Sequence, residues 1–175
     1  MSMRTQTAPE LQILRWFNTP APLSLAALRG RVVLVEAFQM LCPGCVSHGL
    51  PQAQRVRQVF AREDVEVIGL HTVFEHHAAM TPVALEAFLH EYRIGFPVGV
   101  DTPSAEGPIP LTMAAYGMRG TPTLLLVDRA GRLRQHHFGQ VEDLVLGAQI
   151  AMLAAEPAPI EAMTGAACNV DGGCG

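Results

Sequence analysis

A buried strand that runs into a cysteine motif constrains this chain more than any other feature. The run VVLVEAF (32–38) is apolar, rich in β-branched residues and of strand length. Such runs are typical of strands covered on both faces. In the stretch from 46 to 64, apolar residues recur at steps of three and four, which predicts an amphipathic helix kinked at Pro51. A strand–helix unit therefore lies in the first third of the chain.

Strands and helices alternate through the rest of the sequence. In order, the pattern predicts a strand at 65–73, a helix from Thr81-Pro82 to about Tyr92, a short strand at 96–100, a loop at 101–110, strands at 121–128 and 132–138, and a helix at 141–156. This order implies an α/β fold with a central mixed sheet, parallel strands first and an antiparallel hairpin last.

Length and composition indicate one globular domain with a short appendage. The chain has 175 residues, of which 49% are hydrophobic and 16% charged, enough to build a core. We place the domain at 1–156. Residues 157–175 lack periodicity, are rich in Gly, Ala and Pro, and carry two cysteines, which indicates a C-terminal tail.

Charge and hydropathy argue against two classes of partner. All twelve basic residues are arginines, they are scattered, and the net charge is −4, so we expect no nucleic-acid partner. No stretch approaches the ~18 apolar residues of a membrane span, and the N-terminus has no apolar signal region. We therefore expect a cytoplasmic protein without a membrane partner. In a reducing compartment, paired cysteines are more often catalytic or metal-binding than structural.

The motif Cys42-Pro43-Gly44-Cys45 stands where the predicted helix begins. The free backbone N–H groups and positive dipole of a helix N-terminus favour a thiolate at Cys42. Cys45, one turn further on, faces inward and remains within reach. Cys42 can therefore attack a disulfide, and Cys45 can resolve the mixed intermediate. Pro43 suits the first helical position, and Gly44 leaves the rim of the site uncrowded.

Two other uses of the cysteine pair stay open at this point. A zinc site needs about four ligands, and the only other cysteines lie far away at Cys168 and Cys174. The pair could also be inert and buried. We favour the redox interpretation and predict neither metal nor cofactor. A non-catalytic module that binds metal or senses oxidation is the alternative.

Two motifs make the chain resemble the thioredoxin superfamily, most closely its TlpA-like, redoxin-type thiol–disulfide oxidoreductases. They are CPGC after VVLVEAFQML, and GTPTLLLVDRAGRL (120–133) further along; the resemblance covers roughly residues 11–155. It implies a thioredoxin-like fold with helices on both faces of the sheet. It also implies an enzyme, expected to run as a reductase, that acts on protein or small-molecule disulfides. A thioredoxin reductase-like enzyme is the kind of electron donor we expect.

The resemblance assigns roles to residues outside the CPGC motif. It implies a cis peptide bond between Thr121 and Pro122, beside Cys42, where backbone groups can pair with an extended substrate. Relatives carry a buried acid at the position of Glu36, proposed to relay a proton to or from the inner cysteine. A carboxyl group in this apolar strand should have a raised pKa, although a solvated strand-end glutamate is the alternative.

Departures from the family pattern limit what the resemblance implies. Leu41 stands where thioredoxins usually have tryptophan, and the dipeptide is Pro-Gly instead of Gly-Pro, so the direction of electron flow does not carry over. A peroxidase-like redoxin is the nearest enzymatic alternative, but it needs a threonine where Gln39 stands. His48 could tune Cys45, and a solvent-facing role is the preferred interpretation for it and for the other histidines.

The tail supplies a second cysteine pair, Cys168 and Cys174, within a stretch rich in glycine. From Ala155 the chain can span ~40 Å to Cys168 at ~3.3 Å per residue, enough to reach Cys42. We therefore hypothesise a redox relay between the tail and the CPGC pair. A local disulfide or an adventitious soft-metal site is the alternative.

Overall fold

The computed structural model describes residues 6–159, which contain one six-stranded sheet and the helices packed on it. The strands are β1 (Ile13–Phe17), β2 (Val32–Phe38), β3 (Val65–His71), β4 (Val98–Asp101), β5 (Thr123–Val127) and β6 (Leu133–Phe138). The α-helices are α1 (Leu50–Val59), α2 (Pro82–Glu91), α3 (Leu111–Ala115) and α4 (Asp143–Ala155). A π-helical turn at Cys45–Gly49 leads into α1, and a 3₁₀ turn at His77–Ala79 precedes α2.

The sheet is mixed, as the order of elements predicts. The strand order is β1-β4-β3-β2-β5-β6, in which β2, β3 and β4 are parallel and every other pairing is antiparallel. The steps from β2 to β3 to β4 go in one direction, so right-handed crossovers leave α1 and α2 on the same face. α4 packs on that face too, whereas α3 and the segment before β2 cover the other. The predicted α/β sheet with helices on both faces is confirmed.

β2 is the central strand and has apolar neighbours on both sides. All seven of its residues are buried. Leu34 and Phe38 join the cluster beneath α1 and α4, whereas Val33 and Val35 join the cluster on the opposite face. This alternation follows from the two-residue period of a strand. A polar side chain in β2 must therefore enter the core, and Glu36 is the one that does.

Several element boundaries differ from the sequence prediction. The helix expected to reach 64 ends at Val59, because Phe60 has an extended backbone (φ −101°, ψ 141°). The kink predicted at Pro51 stays a prediction; the proline lies in the first turn of α1, directly after the π-helical turn. The irregularity lies just before it, in the π-helical turn.

Two elements escaped the sequence prediction. β1 pairs antiparallel with β4 at the edge of the sheet, and consecutive exposed residues at Leu14 and Arg15 leave no alternating pattern to detect. α3 has only five residues, too few for helical periodicity to show. Both elements owe their structure to neighbours distant in sequence.

A buried carboxylate organises the turn between β5 and β6. Asp128 accepts hydrogen bonds from the backbone N–H groups of Ala130 and Arg132, both at 2.9 Å. Its Oδ2 also accepts from the side chains of Arg132 (2.9 Å) and Arg134 (3.1 Å). Burial alone would raise the pKa of Asp128, but the hydrogen bonds from Arg132 and Arg134 hold it below its ordinary value. The carboxylate thus stays ionised and ties the hairpin together.

We expect Asp128→Ala to lower the free energy of unfolding by roughly 2–4 kcal/mol, because it leaves four partly buried donors without an acceptor. Urea unfolding followed by circular dichroism measures this. Glu86→Ala is the control, since it removes only an exposed ion pair with Arg15 (3.8 Å) and should cost less than about 0.5 kcal/mol. Equal losses in the two variants would contradict the role given to Asp128.

Candidate active site

The CPGC motif lies where the chain leaves β2 and becomes helical, as predicted. The carbonyl oxygen of Cys42 accepts hydrogen bonds from the N–H groups of Cys45 and Val46, both at 3.1 Å. The N–H of Cys45 also lies 3.2 Å from Cys42 Sγ. Cys42 therefore stands at the first turn of the helix, where the backbone N–H of Cys45 faces its sulfur.

Cys42 and Cys45 form a disulfide, with Cα atoms 5.2 Å apart. Cys42 is partly exposed, whereas Cys45 is fully buried in the core beneath α1. An incoming thiol or disulfide can approach only the outer sulfur. The pair thus has the asymmetry that distinguishes an attacking cysteine from a resolving one.

The segment before β5 packs against the cysteine pair. The peptide bond between Thr121 and Pro122 is cis, as the resemblance implies. Cys42 Sγ lies 3.5 Å from the carbonyl oxygen of Thr121. A Cβ atom at Gly44 would lie 3.3 Å from Pro122 Cδ, so Gly44 permits a close approach between the helix and this loop. The expectation that Gly44 leaves the rim of the site uncrowded stays a prediction; the structure adds that its missing side chain lets the helix pack closely against Pro122.

Glu36 is buried beneath the first turns of the helix. Its side chain lies in the apolar core, and Oε1 has no hydrogen-bond partner among the described residues. Burial raises the pKa of Glu36 to about 8. The carboxyl group is therefore largely protonated at neutral pH. The alternative of a solvated strand-end glutamate is wrong.

Gly49 makes room for this acid and was not singled out in the sequence. A Cβ atom at this position would overlap Glu36 Oε1 and would lie 3.4 Å from Pro122 Cβ. Gly49 follows Cys45 by four residues, so both face the same side of the helical stretch. Glu36 therefore lies on the side of the helix that carries the inner cysteine. In the sequence, the sign that Gly49 faces the site is its four-residue spacing from Cys45.

The histidines correct one part of the sequence prediction. His48 does not simply face solvent: it is partly buried, and its Nε2 lies 3.1 Å from the carbonyl oxygen of Val141. His71 is buried against Phe38 (ring centroids 5.2 Å apart), and burial lowers its pKa to about 4. His136 and His137 are partly buried and lie on opposite sides of β6. His48 departs from the expectation because it contacts Val141, which lies far away in sequence.

One exposed apolar side chain adjoins Cys42 in the chain, and another lies at the segment that leads into the Pro122 loop. Leu41 precedes Cys42 and is exposed. Phe138 is also exposed, and its ring packs near Gly120, just before the Pro122 loop. The guanidinium of Arg119 lies over this ring, 5.0 Å from its centroid. This surface is suited to covering an apolar residue next to a substrate cysteine.

Some predictions concern features that the described residues do not include. Cys168 and Cys174 lie outside residues 6–159. Within that range, no three His, Cys, Asp or Glu side chains come together as a metal would need. No helix within the same range combines the length and apolarity of a membrane span.

Comparisons with known proteins agree with the geometry. A family model described as AhpC/TSA matches residues 5–136. DipZ of Mycobacterium tuberculosis (strain CDC 1551 / Oshkosh) is 31% identical over 137 residues, which are 77% of this chain and 19% of DipZ. The thiol-disulfide oxidoreductase ResA of Halalkalibacterium halodurans is 23% identical over 124 residues, 70% of this chain and 63% of ResA. The chain thus spans about a fifth of DipZ and under two thirds of ResA.

Two solved structures are more similar in sequence. A thioredoxin-like superfamily protein is 66% identical, with a TM-score of 0.87 over 88% of this chain and 99% of that chain. A thiol-disulfide isomerase from Corynebacterium glutamicum is 52% identical, with a TM-score of 0.82 over 86% of this chain and 98% of that chain. The thioredoxin-like fold is thereby confirmed.

The raised pKa of Glu36 predicts that the free energy of unfolding falls as the pH rises. The folded protein binds a proton at Glu36 that the unfolded chain releases above its ordinary pKa of 4.5. Stability contributed by this proton is complete below pH 4.5 and is lost as pH rises through about 8. Glu36→Gln should therefore gain on the order of 3–5 kcal/mol relative to the wild type between pH 5 and 9.

Urea titrations of both proteins across this pH range measure that difference. The His71 contribution has the opposite sign, since its lowered pKa costs stability as pH falls from 6.5 to about 4, but it is common to both proteins. Glu86→Gln, on the exposed surface of α2, controls for charge removal. If the free energy of unfolding changed with pH in the same way for wild type and Glu36→Gln, the raised pKa of Glu36 would be contradicted.

We expect Gly49→Ala to destabilise the protein by roughly 1–3 kcal/mol, because its methyl group displaces Glu36 or the Pro122 loop. Gly147→Ala is a matched control, since Gly147 also lies in a helix but a Cβ there meets nothing within 4 Å. That control should be neutral or stabilising by up to about 1 kcal/mol. Thermal unfolding at one pH compares them. A Gly49→Ala variant as stable as Gly147→Ala would show that the space beneath Gly49 is not needed.

Proposed function

Because this chain belongs to the AhpC/TSA family, we propose that it is a thiol–disulfide oxidoreductase that uses the CPGC pair to reduce disulfides. The observation that carries the proposal is the packing of a partly exposed Cys42, with Cys45 buried behind it, against the Pro122 loop. The similarity to the thiol-disulfide oxidoreductase ResA and to the thiol-disulfide isomerase from Corynebacterium glutamicum supports the same activity. The alternatives of a peroxidase and of a non-catalytic module have weaker support.

In the proposed reaction, the reduced pair converts a substrate disulfide into two thiols. The Cys42 thiolate, favoured by the helix N-terminus, attacks one substrate sulfur and releases the other as a thiol. Cys45 then attacks Cys42 in the mixed disulfide. The second substrate thiol leaves, and the Cys42–Cys45 disulfide forms. Two electrons pass from the pair to the substrate, which also takes up two protons.

Glu36 fits the role of a proton acceptor and donor for Cys45. The inner cysteine must lose its proton before it attacks, and no solvent reaches it directly because it is fully buried. Glu36 lies on the same side of the helix, and its pKa of about 8 is close to that of a thiol. Both forms of the carboxyl group are therefore accessible near neutral pH.

The loop around Pro122 fits the role of substrate cradle. Thr121 presents its carbonyl oxygen beside Cys42 Sγ, so an extended segment could pair with this backbone while its cysteine meets Cys42. Exposed Leu41 and Phe138 would cover apolar neighbours of that cysteine. These features favour a protein or peptide disulfide over a very small one. A thioredoxin reductase-like donor and a cytoplasmic location stay predictions.

The environment of Gln39 weighs against the peroxidase alternative. This residue occupies the position where such a redoxin needs a threonine hydroxyl. Its amide oxygen instead accepts a hydrogen bond from the Phe74 N–H (3.2 Å), and its amide nitrogen donates to Glu75 Oε1 (3.4 Å). The side chain is therefore engaged by the loop after β3.

The proposal predicts different outcomes for the two cysteines. With dithiothreitol as reductant and insulin as substrate, Cys42→Ser should lose more than about 99% of the catalysed rate, because no attacking sulfur remains. Reduced Cys45→Ser, freed of dithiothreitol before insulin is added, should stop after one attack and accumulate a Cys42–insulin disulfide, detectable by non-reducing gels and mass spectrometry. The control is Ser47→Ala, an exposed position on the same turn. Normal turnover in Cys42→Ser would refute the proposal.

A further inference from the structure

A cavity of about 420 Å³ lies at the carboxyl ends of two parallel strands. β3 ends at His71 and β4 ends at Asp101, and both residues line the cavity. Crevices at the carboxyl ends of parallel strands are where α/β proteins ordinarily bind ligands. The volume also falls in the range of small-molecule sites, roughly 300–1,000 Å³. The cavity is therefore a candidate binding site, on the same edge of the sheet as the CPGC motif that follows β2.

The walls of this cavity are mostly apolar and are held in place by the fold. Met80, Val100 and Pro110 are buried wall residues. The proline-rich loop after β4 forms another part of the wall. Its two ends are joined, because the N–H of Leu111 donates to the carbonyl oxygen of Thr102 (2.9 Å). Such a site is formed before a ligand arrives, as most small-molecule sites are.

His71 gives the cavity a polar group that the fold does not use. The residue is 1% exposed, and its Nε2 has no hydrogen-bond partner among residues 6–159. Its ring packs against Phe38, and burial lowers its pKa to about 4, so the imidazole is neutral at neutral pH. A neutral imidazole has one donor and one acceptor nitrogen. Since buried polar groups nearly always have a hydrogen-bond partner, His71 is suited to bond a ligand held in the cavity that it borders.

The charges around the cavity favour an uncharged ligand. Asp101 is already engaged, because its oxygens accept from Thr72 Oγ1 (2.9 Å) and from the N–H groups of Thr112 (2.8 Å) and Met113 (3.0 Å). A cation would compete with these three donors. No arginine lines the cavity within the described part of the chain, so an anion would meet Asp101 without a counter-charge. His77, the other titratable lining residue, is exposed to solvent, where its charge is screened.

We propose that this cavity binds an uncharged, mostly apolar small molecule whose single hydroxyl group hydrogen-bonds the His71 imidazole. The apolar part of the ligand packs against Met80, Val100 and Pro110. A hydroxyl group can donate or accept, so it can bond the neutral ring in either tautomer. The inference goes beyond the redox chemistry and does not depend on it, since neither Cys42 nor Cys45 lines the cavity.

The test titrates the full chain with p-cresol, an aromatic ring that carries one hydroxyl group and is uncharged at neutral pH. NMR follows the imidazole ¹⁵N shifts of His71 and the backbone amide shifts. We expect a dissociation constant on the order of 1 mM, as for a small fragment, with shifts at His71, Val73 and Val100. Toluene, which has a similar shape but no hydroxyl group, should bind about tenfold more weakly because it makes no hydrogen bond.

Variants locate the binding and identify the polar contact. His71→Phe keeps an aromatic ring but cannot form the hydrogen bond, so p-cresol should bind it as weakly as toluene does. Val73→Trp fills the cavity from its wall and should abolish binding of both compounds. The matched control is Val83→Trp, at an exposed position (75%) on α2 that does not line the cavity, and it should bind as the wild type does. Thermal unfolding checks that the variants are folded.

Three outcomes would overturn the inference. Absence of saturable p-cresol binding up to about 10 mM, ten times the expected dissociation constant, would mean that the cavity holds only solvent. Equal affinities for p-cresol and toluene in the wild type would remove the hydrogen bond to His71. Shifts that persist in Val73→Trp would place the compound elsewhere on the surface. If a cavity variant does not fold, the hydroxyl preference and the His71 shifts of the wild type decide the question.

Cys42→Ser separates this inference from the proposed function. This variant should lose insulin reduction and still bind p-cresol with the affinity of the wild type, because the cavity does not include the cysteine pair. Loss of p-cresol binding in a folded Cys42→Ser protein would contradict a separate site.

Discussion

The antiparallel pairing of β2 with β5 is the constraint on which the site depends. Ala37 lies opposite Thr123, so the end of one strand and the start of the other share an edge of the sheet. The cysteine motif follows the first strand and Pro122 precedes the second, and they meet although 79 residues separate Cys42 from Thr121. A register shift of one residue would turn every side chain of β5 to the opposite face and displace the loop.

A second requirement is that an acid must fit into the core beneath the cysteines. Both faces of β2 are covered, so Glu36 cannot reach water, and its carboxyl group is stable there mainly in its neutral form. The helix comes close enough to bury it because Gly49 has no side chain. In the proposed mechanism, stability and proton transfer are thus coupled, because the burial that makes the charged acid costly also brings the pKa of Glu36 near that of a thiol.

The two helices that flank the site differ in what they expose. α1 carries glutamine and arginine on its outer side, as expected for a surface helix. In α4, by contrast, Asp143 is the only charged residue. Hydrogen bonds from His48 and Gln52 to Val141 hold the start of α4 beside the cysteine motif.

The sequence by itself determined the central strands and the position of Cys42 at a helix start, because apolar periodicity and the CPGC spacing are local patterns. It left the burial of Glu36 open, and the cover on both faces of β2 decided it. It missed β1 and α3, the packing of Gly44 on Pro122, the space at Gly49 and the burial of His71. Each of these depends on a neighbour distant in sequence: β4 for β1, the Pro122 loop for Gly44, and Phe38 for His71. Only tertiary packing decides such contacts, because strand order and register bring the residues together and no local pattern records them.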